Sequence, residues 1–204
     1  VKATSDASQR KYILEGYLAP NTYEVYMDAS DEDIIRKLLS QTEAEFPAEY
    51  QNRATELGMS MDEVLTLASL IEKEAKEADF TKVSAVFHNR LKQNIKLGSD
   101  VTIHYITGVR KMSLTNSDLQ VYSPYNTYLY AGLPIGPICN PSPKAIAAAL
   151  YPDETYVAEN YLFFCSKDPE SGELYFSKTQ EEHDQAVAIY APLWKAYDES
   201  RGIE

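Results

Sequence analysis

Three helix-start signals constrain the fold of this chain more than any other feature of its sequence. In each, a serine or threonine stands three residues before an acidic residue, as in a capping box, and the pairs are Ser30 with Asp33, Ser60 with Glu63, and Thr179 with Glu182. Apolar residues at helical spacing follow each pair, so we predict helices over about 31–46, 60–76 and 179–197. Apolar spacing alone predicts a further helix over 81–94.

The segment between residues 97 and 143 is rich in glycine and proline. An irregular stretch of this length inside a compact domain is typically functional or disordered, and its tyrosines and apolar residues argue against disorder. After it, a short helix is predicted over 142–150 with Pro143 at its first position. Residues 161–165 and 174–176 are predicted to form a hairpin, and 12–26 a short strand with turns.

These elements predict a single α+β domain with several helices, a small antiparallel sheet or hairpin, and a long ordered loop region. We expect residues 1–13 to flank this domain and residues 14–204 to form it. The chain begins in a polar stretch without a start methionine, so we expect it to be an excised fragment. It contains neither a signal peptide nor an apolar run of the roughly 18 residues that a membrane span requires.

The composition excludes some partners. A net charge of −12 argues against a nucleic-acid-binding protein, which needs a basic surface, and against an anionic membrane surface as the main partner. A neutral or mixed-charge ligand fits better. The 16 tyrosines could stack on sugar faces, but tyrosine is also common in strands.

Glu72 is the most conspicuous candidate for chemistry. Leu65, Ala68 and Ala75 share its helical face, which predicts an apolar environment that would raise its pKa and let it donate a proton. Glu74 lies about 200° around the helix and is predicted to face water. The alternative is that Glu72 is a boundary residue that reaches solvent or pairs with Lys76.

Histidines and cysteines give little support for other chemistry. The histidines at 88, 104 and 183 match no metal signature, and we expect His88 at the surface of its helix and His183 to hold the hairpin to the last helix. Cys139 and Cys165 are compatible with either one disulfide or two thiols. The chemistry that remains is that of carboxylates, or plain binding.

Several segments in register resemble the YceG-like (MltG) endolytic murein transglycosylases. They are LEGYLAPNTY at 14–23, LASLIEKE at 67–74, VFHNRL at 86–91, SDVTIHY at 99–105, SPYNTY at 123–128, GLPIGPICNP at 132–141 and FSKTQEEH at 176–183. The chain departs from the family pattern at Ala19, Asn21, Val101 and Ile135, which puts loop detail in doubt more than activity.

The resemblance implies a catalytic domain that needs no metal or cofactor. Glu72 would act alone as general acid and base, cleaving the β-1,4 bond from N-acetylmuramic acid to N-acetylglucosamine and leaving a 1,6-anhydro end. Candidate substrate contacts are Glu15, Ser99, Asp100, Thr102, Tyr105, Tyr125, Asn126, Thr127 and Asn140. Bracing of the fold is the competing role for each, with helix capping for Asp100 and turn stabilisation for Glu15.

The resemblance also implies partners and a location. Peptidoglycan glycan strands would be the substrate, cell-wall synthesis proteins are further partners, and nucleic acid is not one. The domain would act at the outer face of the bacterial cytoplasmic membrane, tethered only through an N-terminal anchor missing from this sequence. The alternatives are a non-catalytic peptidoglycan-binding module and a scaffold of the wall-synthesis machinery.

Overall fold

A computed structural model describes residues 7–203, and within them the chain forms nine α-helices and one two-stranded sheet. The helices are α1 Asp31–Ala44, α2 Ala48–Glu56, α3 Met61–Glu74, α4 Phe80–Lys92, α5 Asp100–Thr107, α6 Asn116–Leu119, α7 Pro143–Leu150, α8 Glu154–Ala158 and α9 Gln180–Ser200. Strands β1 Phe163–Asp168 and β2 Glu173–Ser177 lie between α8 and α9. None of the helices between residues 7 and 203 is both long and apolar enough to cross a bilayer.

Helix α3 forms the centre of the core. Its apolar residues are 0% exposed over two turns, and they are Val64, Leu65, Leu67, Ala68, Leu70 and Ile71. Helices α2, α4, α5 and α7 all pack against it, and α7 is its main neighbour. The alanine-rich sequence of α7 permits this close approach because its small side chains occupy little space.

The three predicted capping boxes are confirmed at the starts of α1, α3 and α9. In each, the hydroxyl of the N-cap residue accepts a hydrogen bond from the backbone N–H three residues later, and the acidic side chain accepts one from the N-cap backbone. A fourth box, Thr115 with Asp118, begins the short helix α6. The same sequence signal could have revealed it.

The predicted hairpin is also confirmed, with β1 and β2 antiparallel and Phe164 opposite Phe176. Helix α9 packs along β1, where the indole Nε1 of Trp194 donates a 2.9 Å hydrogen bond to the carbonyl of Ser166. His183 stacks on Phe163 at a ring distance of 5.1 Å and so joins α9 to the hairpin, as predicted.

Two expectations about local structure are wrong, and two helices were missed. The region 97–143 is not irregular throughout, because it contains α5 and α6. Residues 12–26 form turns rather than a strand, and α2 and α8 were not foreseen. The sequence of α5 is rich in β-branched residues, which favour strands, so packing against α3 and not propensity makes it helical.

The N-terminal segment is packed into the domain before the predicted boundary at residue 14. The Arg10 guanidinium forms a bidentate ion pair with Asp62 of α3, at 2.6 and 2.9 Å, and donates a further hydrogen bond to the carbonyl of Ile135. A Cβ on Gly136 would lie 2.6 Å from the Arg10 Nε, so glycine is needed there for space. Arg10 therefore joins three parts of the chain.

We predict that Arg10→Met lowers the free energy of unfolding by about 3 kcal/mol, because it leaves a largely buried carboxylate without its cation. Its side chain is 5% exposed and that of Asp62 is 18% exposed. The matched control is Arg36→Met, which breaks a pair whose side chains are 73% and 71% exposed and should change stability little. Urea unfolding measures both, and equal effects would contradict the assignment.

Candidate active site

Two glutamates at the C-terminal end of α3 have different surroundings. Glu72 and Glu74 lie on opposite sides of the last turn, and the chain leaves the helix at Ala75 in an extended conformation. The Glu72 carboxylate contacts the start of α7, and the Glu74 carboxylate contacts the residue before α5.

The carboxylate of Glu72 is used to fix the start of α7. Its Oε2 accepts hydrogen bonds from the Ser142 hydroxyl at 2.6 Å and from the Ser142 backbone N–H at 3.1 Å. Ser142 is the N-cap of α7, where a negative charge is favourable because of the helix dipole. These contacts connect the end of α3 to the start of α7 and favour a bracing role for Glu72.

Glu74 faces a pocket, not water, so the orientation predicted for it is wrong. Its Oε1 accepts a short hydrogen bond from the Ser99 hydroxyl. Burial of the carboxylate and, after it, the negative charge of Asp100 raise the pKa of Glu74 to about 8. The Ser99 hydrogen bond and the Arg90 charge oppose this shift. The helical wheel failed because α5 and the hairpin cover this face of the last turn.

Asp100 and Arg90 complete the polar floor of the pocket. The Tyr128 hydroxyl donates a short hydrogen bond to Asp100, whose pKa is raised by burial. Arg90 donates to the carbonyls of Leu162, Lys96 and Leu97, at 2.5, 3.0 and 2.9 Å. Backbone carbonyls thus hold the guanidinium in place, and it forms no close ion pair with the part of the chain that the structure describes.

The pocket around Glu74 has a volume of about 340 Å³, within the usual range for small-ligand sites. One wall is apolar and comes from the hairpin and α9, with Phe164, Leu174, Val187 and Trp194. The other carries charged groups. A site of this kind can bind the apolar face of a sugar and present an acid to it.

A larger cavity of about 1240 Å³ lies on the other side of α4. Its two acidic residues are already engaged, Asp62 by Arg10 and Glu63 by the capping box of α3. His88 lines this cavity and donates a 2.8 Å hydrogen bond from its Nε2 to the Ala149 carbonyl, so it is partly buried and not the surface residue predicted. We therefore place the candidate active site in the smaller pocket.

The model of the YceG-like family matches residues 1–189 of this chain. The chain belongs to the YceG-like family. The predicted membership is confirmed.

Relatives of this YceG-like chain include two endolytic murein transglycosylases. That of Bacillus subtilis is 42% identical over 182 residues, covering 88% of this chain and 49% of that protein. That of Streptococcus pneumoniae strain D39 is 34% identical over 187 residues, covering 89% of this chain and 33% of that protein. The chain therefore spans between a third and a half of the length of these relatives.

A solved structure confirms the predicted fold class. The crystal structure of a putative YceG-like protein from Listeria monocytogenes matches with a TM-score of 0.77 at 42% sequence identity. The match covers 87% of this chain and 56% of that one. At this identity the two chains share one fold.

Several predicted sugar contacts of the YceG-like chain form a buried network under the pocket. The backbone N–H of Ser99 donates to the Thr127 hydroxyl at 2.9 Å, and the Thr102 hydroxyl donates to the Ser99 carbonyl at 2.7 Å. Thr102 and Thr127 are almost completely buried, at 0% and 1% exposed. They hold Ser99 beneath Glu74 and favour bracing over sugar binding.

Asn126 and Asn140 also brace the loops. The Asn126 amide donates to the carbonyls of Leu119 and Val121 and accepts from the N–H of Tyr128, and the residue is 1% exposed. Asn140 accepts hydrogen bonds from the backbone N–H groups of Gly16 and Leu18, at 2.7 and 3.3 Å. The prediction that these two bind sugar is not supported by their contacts.

The remaining candidates, Glu15, Tyr105 and Tyr125, cluster on the Glu72 side of α3. The Tyr105 hydroxyl donates a short hydrogen bond to Glu15, and its ring lies 4.8 Å from that of the buried Tyr125. Burial, together with the negative charges of Glu72 and Glu15, raises the pKa of the Cys139 thiol to about 12. This cluster does not line the Glu74 pocket.

Cys139 and Cys165 are free thiols in the described part of the chain, which decides between the two readings of the sequence. Arg90 and Tyr128 are site residues that the sequence reasoning missed. Both lie in segments that resemble the family, VFHNRL and SPYNTY, so the signal was present but was assigned to their neighbours.

We predict that Glu74→Gln makes the protein more stable at alkaline pH. A pKa raised above the unfolded value means that the protonated folded form is favoured, so this contribution is present below about pH 4.5 and lost as pH rises through about 8. The difference in unfolding free energy should therefore increasingly favour Glu74→Gln between about pH 4.5 and about pH 8, and level off above that. Thermal unfolding measures it, with the exposed Glu43→Gln as control. A difference independent of pH would contradict the burial of this carboxylate.

Proposed function

We propose that this chain is a peptidoglycan lytic transglycosylase domain in which Glu74 is the general acid and base. The relatives supply the substrate class, since they are endolytic murein transglycosylases. The observation that carries the choice of Glu74 is its place in the pocket, beside Asp100 and on the Ser99 hydroxyl. A carboxyl group with a raised pKa is protonated near neutral pH and can donate.

The reaction needs one carboxyl group because the substrate supplies its own nucleophile. Protonated Glu74 gives its proton to the glycosidic oxygen between N-acetylmuramic acid and N-acetylglucosamine, and the bond from that oxygen to the muramic C1 breaks. Positive charge develops at C1. The Glu74 carboxylate then takes the proton of the muramic C6 hydroxyl, whose oxygen bonds to C1. The product carries a 1,6-anhydro ring, Glu74 is protonated again and no water is consumed.

Asp100 has a separate role in this proposal. Its negative charge favours the protonated form of Glu74 before the reaction, which is the state a general acid needs. The same charge can stabilise the positive charge that develops at C1. Ordinary glycosidases use a second carboxylate to activate water or to form a covalent intermediate. Here Asp100, as the second carboxylate, would act only through its electric field.

Glu72 was the catalytic residue predicted from the sequence, and its role in catalysis is untested. Its hydrogen bonds to Ser142 support a structural role, and we therefore assign the chemistry to Glu74, two residues along the chain. The site of action follows from the substrate, which lies at the outer face of the bacterial cytoplasmic membrane. Cell-wall synthesis proteins remain proposed partners.

We predict that Glu74→Gln abolishes glycan cleavage, a loss of at least about a thousandfold, because the amide cannot donate the required proton. Glu72→Gln, the matched control on the same helix, should keep most of the activity because the amide oxygen can still accept from Ser142. The measurement is digestion of purified peptidoglycan, with mass spectrometry of the soluble products. Wild-type products should end in 1,6-anhydro-muramic acid.

Other outcomes distinguish the alternatives. Loss of activity in Glu72→Gln alone, with folding intact, would restore Glu72 as the acid. Reducing ends, one water heavier, would indicate hydrolysis. Binding to peptidoglycan without any product from the folded wild type would favour a binding module.

We further predict that Asp100→Asn shifts the alkaline limb of the pH–activity profile to lower pH. Removing the Asp100 charge removes a cause of the raised Glu74 pKa, so the acid loses its proton at a lower pH. The Tyr128 hydroxyl can still donate to the asparagine oxygen. The measurement is kcat as a function of pH. An unmoved alkaline limb would show that Asp100 does not control Glu74.

A further inference from the structure

Two cationic side chains, Lys73 and Arg110, line the Glu74 pocket and are exposed at its edge. Neither side chain forms an ion pair or a hydrogen bond with any residue in the part of the chain from 7 to 203. The neighbouring Lys111 differs, because it pairs with Asp118 at 2.7 Å. Two such cations at the edge of one pocket stand out in a chain with 31 acidic residues and a net charge of −12.

The segment that carries Arg110 is fixed in position. The Asp198 carboxylate of α9 accepts hydrogen bonds from the backbone N–H groups of Met112 and Ser113, at 2.9 and 2.8 Å. His104 of α5 is bonded to the Lys111 carbonyl at 2.8 Å. Arg110 therefore directly precedes a stretch of backbone that α5 and α9 hold in place, and Lys73 projects from the last turn of α3, next to Glu74.

Neither cation acts on the catalytic acid. Among the charges that shift the pKa of Glu74, the cation is Arg90, and neither Lys73 nor Arg110 contributes. The two groups can therefore attract an anion at the edge of the pocket without ionising Glu74. This separates a binding function from the acid chemistry on the pocket floor.

We propose that Lys73 and Arg110 bind a carboxylate carried by the substituent at O3 of the muramic acid residue that is cleaved. This inference rests on the proposed function, and it deepens it by naming a substrate determinant. The sugar rings of a glycan strand are neutral. Their nearest carboxylates belong to the O3 substituent, either on its stem peptide or, where the peptide is absent, on the lactyl group itself. The bond that breaks is at C1 of this same sugar, which brings its substituent close to the acid.

The test measures binding and cleavage separately. Soluble tetrasaccharides are prepared in three forms: with stem peptides bearing free carboxyl groups, with the same peptides converted to carboxamides, and without peptides but with free lactyl carboxyl groups. Binding is measured by calorimetry in the Glu74→Gln background, where substrate is not consumed. Cleavage, as kcat/KM, is measured with an active Glu74.

The Lys73→Gln/Arg110→Gln pair of substitutions is compared with a matched control, Lys92→Gln/Lys96→Gln. The control removes the same charge from two exposed lysines that do not line the Glu74 pocket. We expect an otherwise unaltered chain to prefer a free carboxylate over the carboxamide by roughly tenfold in Kd, as two exposed ion pairs allow. The control should keep this preference, the Lys73/Arg110 double variant should lose it, and salt should weaken it.

The arms identify the source of the carboxylate. A preference for the free-acid peptide over the peptide-free strand assigns the carboxylate to the stem, and a preference for the peptide-free strand assigns it to the lactyl group. Equal binding of these two forms, both tighter than the carboxamide, means that either carboxylate occupies the site. Equal binding of all three forms, or a preference for a free carboxylate that is kept in the Lys73/Arg110 double variant, would overturn the inference. Absence of cleavage by the wild type would reject the proposed function, and the binding preference would still decide this inference.

Discussion

Helix α3 runs through the middle of the core, and its apolar side chains from Val64 to Ile71 have no measurable exposure. Each buried leucine or isoleucine contributes about 1.5–3 kcal/mol by leaving water, so rotation or sliding of this helix would be costly. Helices α2, α4, α5 and α7 all take their positions from it. The direction of every side chain at its C-terminal end is fixed as a consequence.

At that fixed end, two carboxylates lie in different surroundings. Glu72 meets the N-terminus of α7, where backbone N–H and hydroxyl donors satisfy its charge. Glu74 meets a pocket floor with another carboxylate and one serine hydroxyl, where its charge is poorly supported. The same side chain thus braces two helices in one place and, in the function we propose, donates a proton in the other. The difference comes from what other elements place around it.

The region from 97 to 143 supports the site more than it contacts a substrate. Ser99, Thr102 and Thr127 form a buried set of hydrogen bonds that holds the Ser99 hydroxyl under Glu74. Gly98, at a φ of 55°, lets the chain turn close to Arg90 and Tyr128. A rigid floor of this kind keeps the acid in one orientation, which general acid catalysis requires.

Much of the fold could be predicted from local sequence signals. The capping boxes at Ser30, Ser60 and Thr179 and the apolar spacing after them determined where three helices begin, because these contacts lie within one turn. The hairpin and the start of α7 at Pro143 were predicted from equally local signals. Helix α5 was missed because its β-branched sequence becomes helical only through packing on α3.

The site was only partly predictable. The sequence by itself indicated a glutamate at the end of α3 as the candidate acid, and it placed residues 99, 100 and 128 in motifs that resemble the family. Tertiary structure alone decided which glutamate is buried in a pocket, and it reversed the helical-wheel prediction. The physical reason is that the pKa of a carboxyl group depends on the water and charges around it. At Glu74 these are set by Asp100, Ser99 and Arg90, which lie 16 to 26 positions away in the chain and reach it only in the folded state.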